Sequence, residues 1–420
     1  MSQSSLQISA THLINQLSGL DYPILLCFDD HWVAGFCPNT ISTQPPDSLP
    51  VKDSPDTTAA TFQSGWAGIF NYPASRKTCQ EESCTTQTDW FGYYPVTFRL
   101  DMKHNRVTVQ NPKQLNDSEL TPWLNALNEI TNRGLNNSGL DSDSTPRAIP
   151  RQWQPRWSPT QYQAAFNRVQ NYLKAGDCYQ INLTMPFYCT DDLTQVSPLP
   201  LLKAFTPRFG GYLKTAERTL FSVSPERFIR IDGNRIVTSP IKGTLPRGQS
   251  ATEDQQLATE LASSSKNQAE NLMIVDLLRN DLSINAQPHS VKVEKLFELE
   301  SHANVHHLVS TISAKRRDDK NNLNVVTDAF PGGSITGAPK QRAMEIIDEL
   351  EAGPRRAYCG SMGYFDDDGH ADFNILIRTI EATTDGAVCW GGGGITIDST
   401  ADDEYQEILN KVGKILQTPL

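Results

Sequence analysis

Lys242 stands in the run Ser239-Pro240-Ile241-Lys242-Gly243-Thr244, a poor setting for a charge whose only task is solubility. Ile229 and Ile231, then Ile236 and Val237, read as two short strands turning at Asp232-Gly233-Asn234, and the lysine follows the second. An ammonium held beside apolar strands is desolvated, so its pKa falls and it gains the character of a nucleophilic amine. A lone lysine of this kind more often snorkels out of a hairpin edge, and the rest of the chain must decide. Glu270 precedes the apolar run Leu272-Met273-Ile274-Val275 on a helix pattern, while Glu404 and Glu407 share one face of the last helix with Lys411 a turn further on. Carboxylates gathered from separate helices make a hard-oxygen site suited to Mg²⁺. Taken singly, Glu407 with Lys411 is an ordinary surface pair worth about 0.3–0.5 kcal/mol.

Three further residues are hard to place as structure alone. Arg378 falls in Phe373-Asn374-Ile375-Leu376-Ile377-Arg378-Thr379-Ile380, which reads as a strand apolar on both faces; a buried guanidinium there needs an anion, and a substrate carboxylate would serve. His307 is a candidate orienting or proton-handling group, although a lone histidine is more often structural. Glu226 precedes the hairpin that delivers Lys242, either as a site acid or as the partner of Arg227. Glycine gathers in two places. Pro331-Gly332-Gly333-Ser334-Ile335-Thr336-Gly337-Ala338-Pro339-Lys340 leads into a helix; it lacks Walker A spacing, but N–H groups at such a start can hold a carboxylate. Gly391 to Gly394 interrupts a strand pattern, which points to a bulge or to a ligand pressed against the backbone.

These residues need elements to carry them. Ser158 caps a helix with Pro159 at its first position, and Tyr162, Phe166, Val169 and Leu173 recur at helical spacing before Gly176. Tyr179, Ile181, Leu183, Met185 and Phe187 then alternate as one face of a strand, with Gln180, Asn182 and Thr184 on the other, facing water or a polar cavity. Further strands are expected over 220–231, 235–239, 359–365, 373–381 and 387–397, and helices over 253–282, 338–351 and 402–416. Runs of strand with helices between them indicate an α+β fold with antiparallel sheets. The texture changes near residue 150. Residues 1–150 carry polar stretches at Pro38 to Thr58 and Ser75 to Thr88, and Asn132 to Pro146 is the linker candidate before a second region, 151–420.

The bulk numbers narrow the class. A net charge of −11 over 420 residues argues against nucleic acid or an anionic membrane as the main partner, so an anionic ligand needs a local cationic pocket or a bridging metal. The N-terminus lacks the basic and apolar segments of a signal peptide, and apolar runs such as Pro23 to Phe28 are too short to span a bilayer. The closest cysteines, Cys79 and Cys84, lack zinc-site spacing. A reduced, cytoplasmic enzyme is the expectation.

Together the strings GDCYQINLT, FSVSPERF, PIKGT, AENLMIVDLLRNDL, ITGAPK, YCGSMGYF, FNILIRT, GGGGI and EYQEILNK, in this order over residues 158–415, resemble the chorismate-utilising enzymes. GWAGIFNY, Gly65 to Tyr72, is the clearest trace of that family's more variable N-terminal region. The resemblance implies two stacked antiparallel β-sheets flanked by helices, with the site between them. It implies Mg²⁺ on the ring carboxylate of chorismate, held by Glu270 and Glu407 with Glu404 nearby. It assigns the enolpyruvyl carboxylate to Arg378, Tyr358 and the amides of Gly392, Gly393 and Gly394, with Lys411 and Thr336 close by. Glu226 would protonate the departing ring hydroxyl and His307 would border the ring. Asn267 stands where many relatives have an acidic residue, a departure from the pattern.

Two positions select the branch that this resemblance implies. Relatives that add water carry a lysine base where this chain has Gln180, and anthranilate synthases carry alanine where it has Lys242. A lysine there marks the aminodeoxychorismate synthases. Such an enzyme takes ammonia from a glutaminase, and with no cysteine-nucleophile unit in the sequence the resemblance implies a separate glutamine amidotransferase partner, in a heterodimer serving folate synthesis. Anthranilate synthase component I is the alternative, and it requires Lys242 to be a neutral replacement.

Overall fold

Ile24, Leu26 and Phe28 point one way from strand β1 (Ile24–Phe28) while Leu25 and Cys27 point the other, and the two sets enter different cores. That alternation, repeated along the chain, stacks two antiparallel sheets. The computed structural model describes residues 8–46, 49, 61–73, 88–136, 151–302, 305–351 and 353–420. The linker candidate after Asn136, most of the polar stretches at 38–58 and 75–88, and the Cys79–Cys84 pair lie outside the described residues.

The first sheet runs in the order β17 (Gly337–Ala338), β9 (Gln180–Cys189), β21 (Gly386–Ile395), β20 (Thr379–Thr383), β11 (Thr219–Ser222), β10 (Gly211–Lys214), β1, β2 (His31–Gly35), β6 (Thr97–Asp101) and β7 (Arg106–Gln110). A short strand, β8 (Gln154–Pro155), also pairs with β9. The second runs β14 (Ile241–Pro246), β16 (Val305–Lys315), β13 (Arg235–Thr238), β12 (Arg227–Asp232), β19 (His370–Asn374), β18 (Ser361–Asp366), β4 (Gly65–Phe70), β5 (Trp90–Tyr94) and β3 (Thr40–Ser42). Strand β15 (Lys292–Ser301) pairs with β16. Pairing of β1 with β10 and of β4 with β18 joins the N-terminal region to both sheets, so the change of texture near residue 150 breaks neither.

Helices cover the outer faces. Apolar residues of α1 (Ala10–Gln16), α2 (Thr121–Asn136), α3 (Pro159–Ala175), α4 (Leu199–Phe205), α8 (Lys340–Leu350) and α9 (Ala401–Gln417) pack on the first sheet. Those of α6 (Ser265–Ser283) and α7 (Asn322–Ala329) pack on the second. A third cluster, including Ile24, Leu26, Ile69, Leu213, Met362 and Tyr364, fills part of the space between the sheets. Ser158 and Gly176 end α3 as expected, by a capping box and a left-handed residue.

Three expected elements prove to be two each. The helix expected over 253–282 is α5 (Ala251–Ser263) followed by α6: Ser264 adopts extended φ/ψ, ends the first and caps the second by accepting from the Asn267 amide. The strand expected over 220–231 is β11 in one sheet and β12 in the other, and that expected over 373–381 is β19 and β20, again in different sheets. Residues 223–226 and 375–378 are therefore crossovers between the layers, running side by side through the bonds Val223 N–H to Arg378 O (3.1 Å) and Ile375 N–H to Glu226 O (3.1 Å). Arg378 is on a crossover with φ of +51°, not inside a strand.

Candidate active site

Strand β9 puts Ile181, Leu183, Met185 and Phe187 into the helix-covered core, so Gln180, Asn182 and Thr184 face the other way, toward the second sheet. All three are buried, which settles the choice between water and a polar cavity. Asn182 and Thr184 are used up at the two ends of α8, the turn before it and Glu351 just after it. Asn182 Nδ2 donates to Ile335 O (2.9 Å), and Thr184 donates through its amide and hydroxyl to Glu351 Oε1 (2.9 and 2.7 Å). Arg355 closes this network with bonds to both Glu351 oxygens and to the carbonyls of Ile335 and Asn182. Gln180 is different: it is 1% exposed and its Nε2 has no hydrogen-bond partner. An unmade bond on a buried amide is costly, and Gln180 is the residue of this strand face whose donor stays open.

Lys242 is aimed by a bulge. The register of β14 against β16 shifts between Ile241 and Thr244, leaving Lys242 and Gly243 in the irregular step. Gly243 has φ of +90°, and a Cβ there would meet Leu261 at 2.9 Å and Asn267 at 3.0 Å, so only glycine suits the step. Asn267, which carries no acid here, thus packs against the turn that aims the lysine. The partly buried Lys242 ammonium makes no hydrogen bond or ion pair with any described residue. Burial pushes its pKa down and the Lys411 charge adds to the fall, against the opposing pull of Glu226, Glu270 and Glu407.

Glu226 sits on the first crossover, 7% exposed, and accepts from the Ser334 hydroxyl at 2.8 Å. Burial raises its pKa, opposed by Lys242, Ser334, Lys411 and Arg378. Arg227 is not its partner: that side chain turns away to Asp372 (2.9 and 3.0 Å) and Asp29. On the adjacent crossover Arg378 is half-buried and pairs with no described carboxylate, although Glu226 lies in its field. His307 is buried, bonds through Nδ1 to Thr244 Oγ1 (2.8 Å), and is held to a pKa of about 4 by burial and by the charges of His302, Arg378 and Arg208. It is a neutral imidazole at physiological pH.

The carboxylates of α6 and α9 complete the cluster. Glu404 is 6% exposed and accepts from Ser399 (2.7 Å), Glu407 pairs with Lys411 (2.5 Å), and Glu270 has no hydrogen bond among the described residues. Burial raises Glu270 and Glu404, and Glu407 pushes both further up. Lys411 and Lys242 bring Glu407 below its ordinary value. Among the described residues no three acids, histidines or cysteines gather as a metal-binding group, so the three glutamates do not form a ready-made cage. The donor set still fits Mg²⁺, which commonly binds through one or two carboxylates and completes its shell with water or substrate oxygens. Lys266, one turn before Glu270, also faces these acids; it is a site residue that the sequence analysis does not single out, although its i,i+4 spacing to Glu270 is a signal for it.

The remaining candidates occupy the rim and walls. Strand β21 runs through Gly391 to Gly394 without a bulge, paired with Met185 to Asn182 of β9, so the expected interruption is absent. What presses on these glycines is the chain's own side chains: a Cβ would meet Ile408 and Val412 at Gly391, Thr184 at Gly392, Glu404 at Gly393 and Gln180 at Gly394. Lys411 Nζ donates to Gly392 O at 2.9 Å. The Thr336 hydroxyl is spent on Gly332 O and Gly333 O of its own turn. Tyr358 stacks on Trp390 at 5.7 Å and 10°, as a wall. The structure thus gathers Lys242, Glu226, Glu270, Glu407, Lys411 and Arg378 within one another's fields, and leaves Thr336 and Tyr358 as packed neighbours.

Two stacked antiparallel sheets bearing an unpaired lysine, a raised glutamic acid and acids from two helices define a class that the comparisons identify. The family model described as chorismate binding enzyme matches residues 28–417, and the chain belongs to that family. Among curated proteins it is 40% identical to "Aminodeoxychorismate synthase component 1" of Escherichia coli over 363 residues, spanning 85% of this chain and 77% of that one. It is 43% identical to "Aminodeoxychorismate synthase" of Streptomyces griseus over 363 residues, 85% of this chain and 50% of that one. In fold it is similar to anthranilate synthase component I from Streptococcus pneumoniae, with a TM-score of 0.70, 24% identity and 94% and 91% of the two chains covered. No helix among the described residues is long and apolar enough to cross a membrane.

Proposed function

We propose that this chain carries out the reaction of aminodeoxychorismate synthase component I, converting chorismate and ammonia into 4-amino-4-deoxychorismate, the precursor of 4-aminobenzoate and folate. The observation that carries the reading is Lys242: a desolvated amine without a partner, aimed by a glycine bulge among Glu226, Glu270 and Glu407. The free amine attacks C2 of the ring, both ring double bonds shift by one position, and the C4–O bond breaks as Glu226 delivers its proton and water leaves, the new C2–N ammonium giving up its extra proton. Ammonia then attacks C4, both double bonds shift back, and the C2–N bond breaks, with a proton from the incoming nitrogen passing to the departing one so that the lysine leaves as an amine. Two displacements put nitrogen at C4 with the enolpyruvyl group retained. Positioned proton delivery of this kind is worth on the order of 10²–10⁴ in rate.

Arg378 and the Gln180 amide are donors free for substrate oxygens, and neutral His307 borders the ring without competing for its carboxylates. Glu270 and Glu407, with Glu404 beside them, would hold Mg²⁺. Bound there, the ion would neutralise the ring carboxylate. Ammonia is assigned to a separate glutamine amidotransferase subunit in a heterodimer, in keeping with the "component 1" designation of the relatives. A cytoplasmic setting accords with the unpaired state of all the described cysteines.

Incubation with chorismate, Mg²⁺ and ammonium at alkaline pH, followed by mass spectrometry, tests the reading. A product keeping its enolpyruvyl group and carrying nitrogen at C4 supports it; anthranilate with pyruvate refutes it.

A further inference from the structure

One of the two carboxyl oxygens of Glu226 is already committed. The Ser334 hydroxyl donates to Oε1 at 2.8 Å, and both residues are 7% exposed, so water does not compete for this bond. Each partner is fixed from behind. Glu226 lies on the crossover, with its carbonyl bonded to the Ile375 amide (3.1 Å) and its amide to Ser224 Oγ (3.2 Å). Ser334 belongs to the 3₁₀ turn Gly333–Ile335, whose Ile335 carbonyl takes bonds from Arg355 Nη1 (2.8 Å) and Asn182 Nδ2 (2.9 Å). The Thr336 hydroxyl closes the same turn on Gly332 O (3.1 Å). The buried Arg355–Glu351–Asn182 network thus ends on Ile335, the residue next to the one that grips the acid.

We infer that Ser334 is a positioning residue for Glu226, holding Oε1 so that the proton delivered to the leaving hydroxyl rides on Oε2. The physical reason is the donor sense. A hydroxyl hydrogen pointing at Oε1 makes that oxygen the carbonyl of the protonated acid, which leaves Oε2 as the only O–H. The charged groups facing Glu226 are Lys242 from β14, Lys411 from α9 and Arg378 from the adjacent crossover, and none of them bonds to it. Among the described residues Ser334 makes the one hydrogen bond to its carboxyl. The same bond favours the ionised acid, so it also draws the pKa down against burial.

This assignment rests on the proposed function for the role of Glu226, and its test keeps the two apart. Glu226 is titrated by isotope-edited infrared spectroscopy, with Glu226→Gln as the blank, in the wild type, Ser334→Ala and Ser334→Thr. The titration reads the coupling whatever product forms. The expected result is a midpoint displaced upward in Ser334→Ala and restored in Ser334→Thr. In the amination assay Ser334→Ala should lower kcat by about 10- to 100-fold, as a misplaced group does, with KM within about twofold. The alkaline limb of kcat should move upward, and Ser334→Ala should add nothing in a Glu226→Gln background. An unmoved midpoint, or an equal loss of kcat in both backgrounds, overturns the assignment. Ser334→Cys, similar in bulk and a weaker donor, supplies the same contrast should the alanine variant fail to fold.

Discussion

Arg227 and Lys242 both place positive charge between or against the same two sheets, yet the regions around them treat it in opposite ways. Arg227 is 8% exposed and bonds to Asp372 and Asp29, and Arg355 at 2% exposure is bidentate on Glu351 and bonds two carbonyls. Every donor that matters there is satisfied, and the charge is architecture. Lys242, Arg378 and Gln180 Nε2 have no partner among the described residues. A desolvated polar group or charge left open costs stability, and under the proposed function these open donors are the ones the substrate would meet. Burial is common to both regions. Satisfaction separates them.

Mutations should pull the two regions apart. The largest effect on activity is expected from Lys242→Ala, with amination falling by at least the 10² expected for a lost site group and no lysine-linked adduct in the intact mass. The same change should leave stability unaltered or raise it, because it deletes an unpaired charge; a thermal melt lowered as far as that of Arg227→Met would break the comparison. Arg227→Met should cost about 3–5 kcal/mol in denaturant unfolding, since Asp372 is left buried without its bidentate cation, while half-buried Asp29 keeps Arg208. Gly243→Ala should cost about 1–2 kcal/mol for the left-handed backbone and should also lower amination, because the bulge that aims Lys242 is strained.

The smallest effect concerns His307. Its pKa is about 4 in the folded chain against an ordinary 6.5. The unfolded chain therefore takes up that proton first, and stability falls as pH drops from 6.5 to about 4, below which both states are protonated and the loss is complete. His307→Gln should remove about 1–2 kcal/mol of that acid-side slope, measured by urea unfolding across this interval. An unchanged slope would mean that the imidazole is not held neutral by its surroundings.

Much of the site was legible as residue types. Lys242 between a proline and a glycine, Glu404 and Glu407 on one helix face, and the polar side of the strand at Gln180 all follow from spacing. The misreadings share one cause. The stretches at 220–231 and 373–381 have unbroken strand character, and periodicity reports which face a residue takes, not which sheet its strand joins. Arg378 was therefore read as lying in a strand when it sits at a crossover. Gly391 to Gly394 indicate a bulge or a close approach to the backbone, and the close approach is real but made by the chain's own side chains, because the sequence does not say that Ile408, Val412 and Glu404 of a later helix press on that strand. Ser334 carries no sequence signal of its own, and Asn267 only that of standing where many relatives have an acid; their contacts appear only where Glu226 and Gly243 meet them.

By itself the sequence determined the chemistry available: an amine, carboxylic acids, a guanidinium, and the alternation and caps that build strands and helices around them. Those depend on neighbours within a few residues, where the period of the backbone and its local hydrogen bonds govern. The tertiary structure decided which charges are paired. That depends on groups brought together from far along the chain, as Arg227 meets Asp29 and Asp372, and as Lys242 meets no described carboxylate at bonding distance. Desolvation then turns the same residue type into scaffold in one place and reagent in the other.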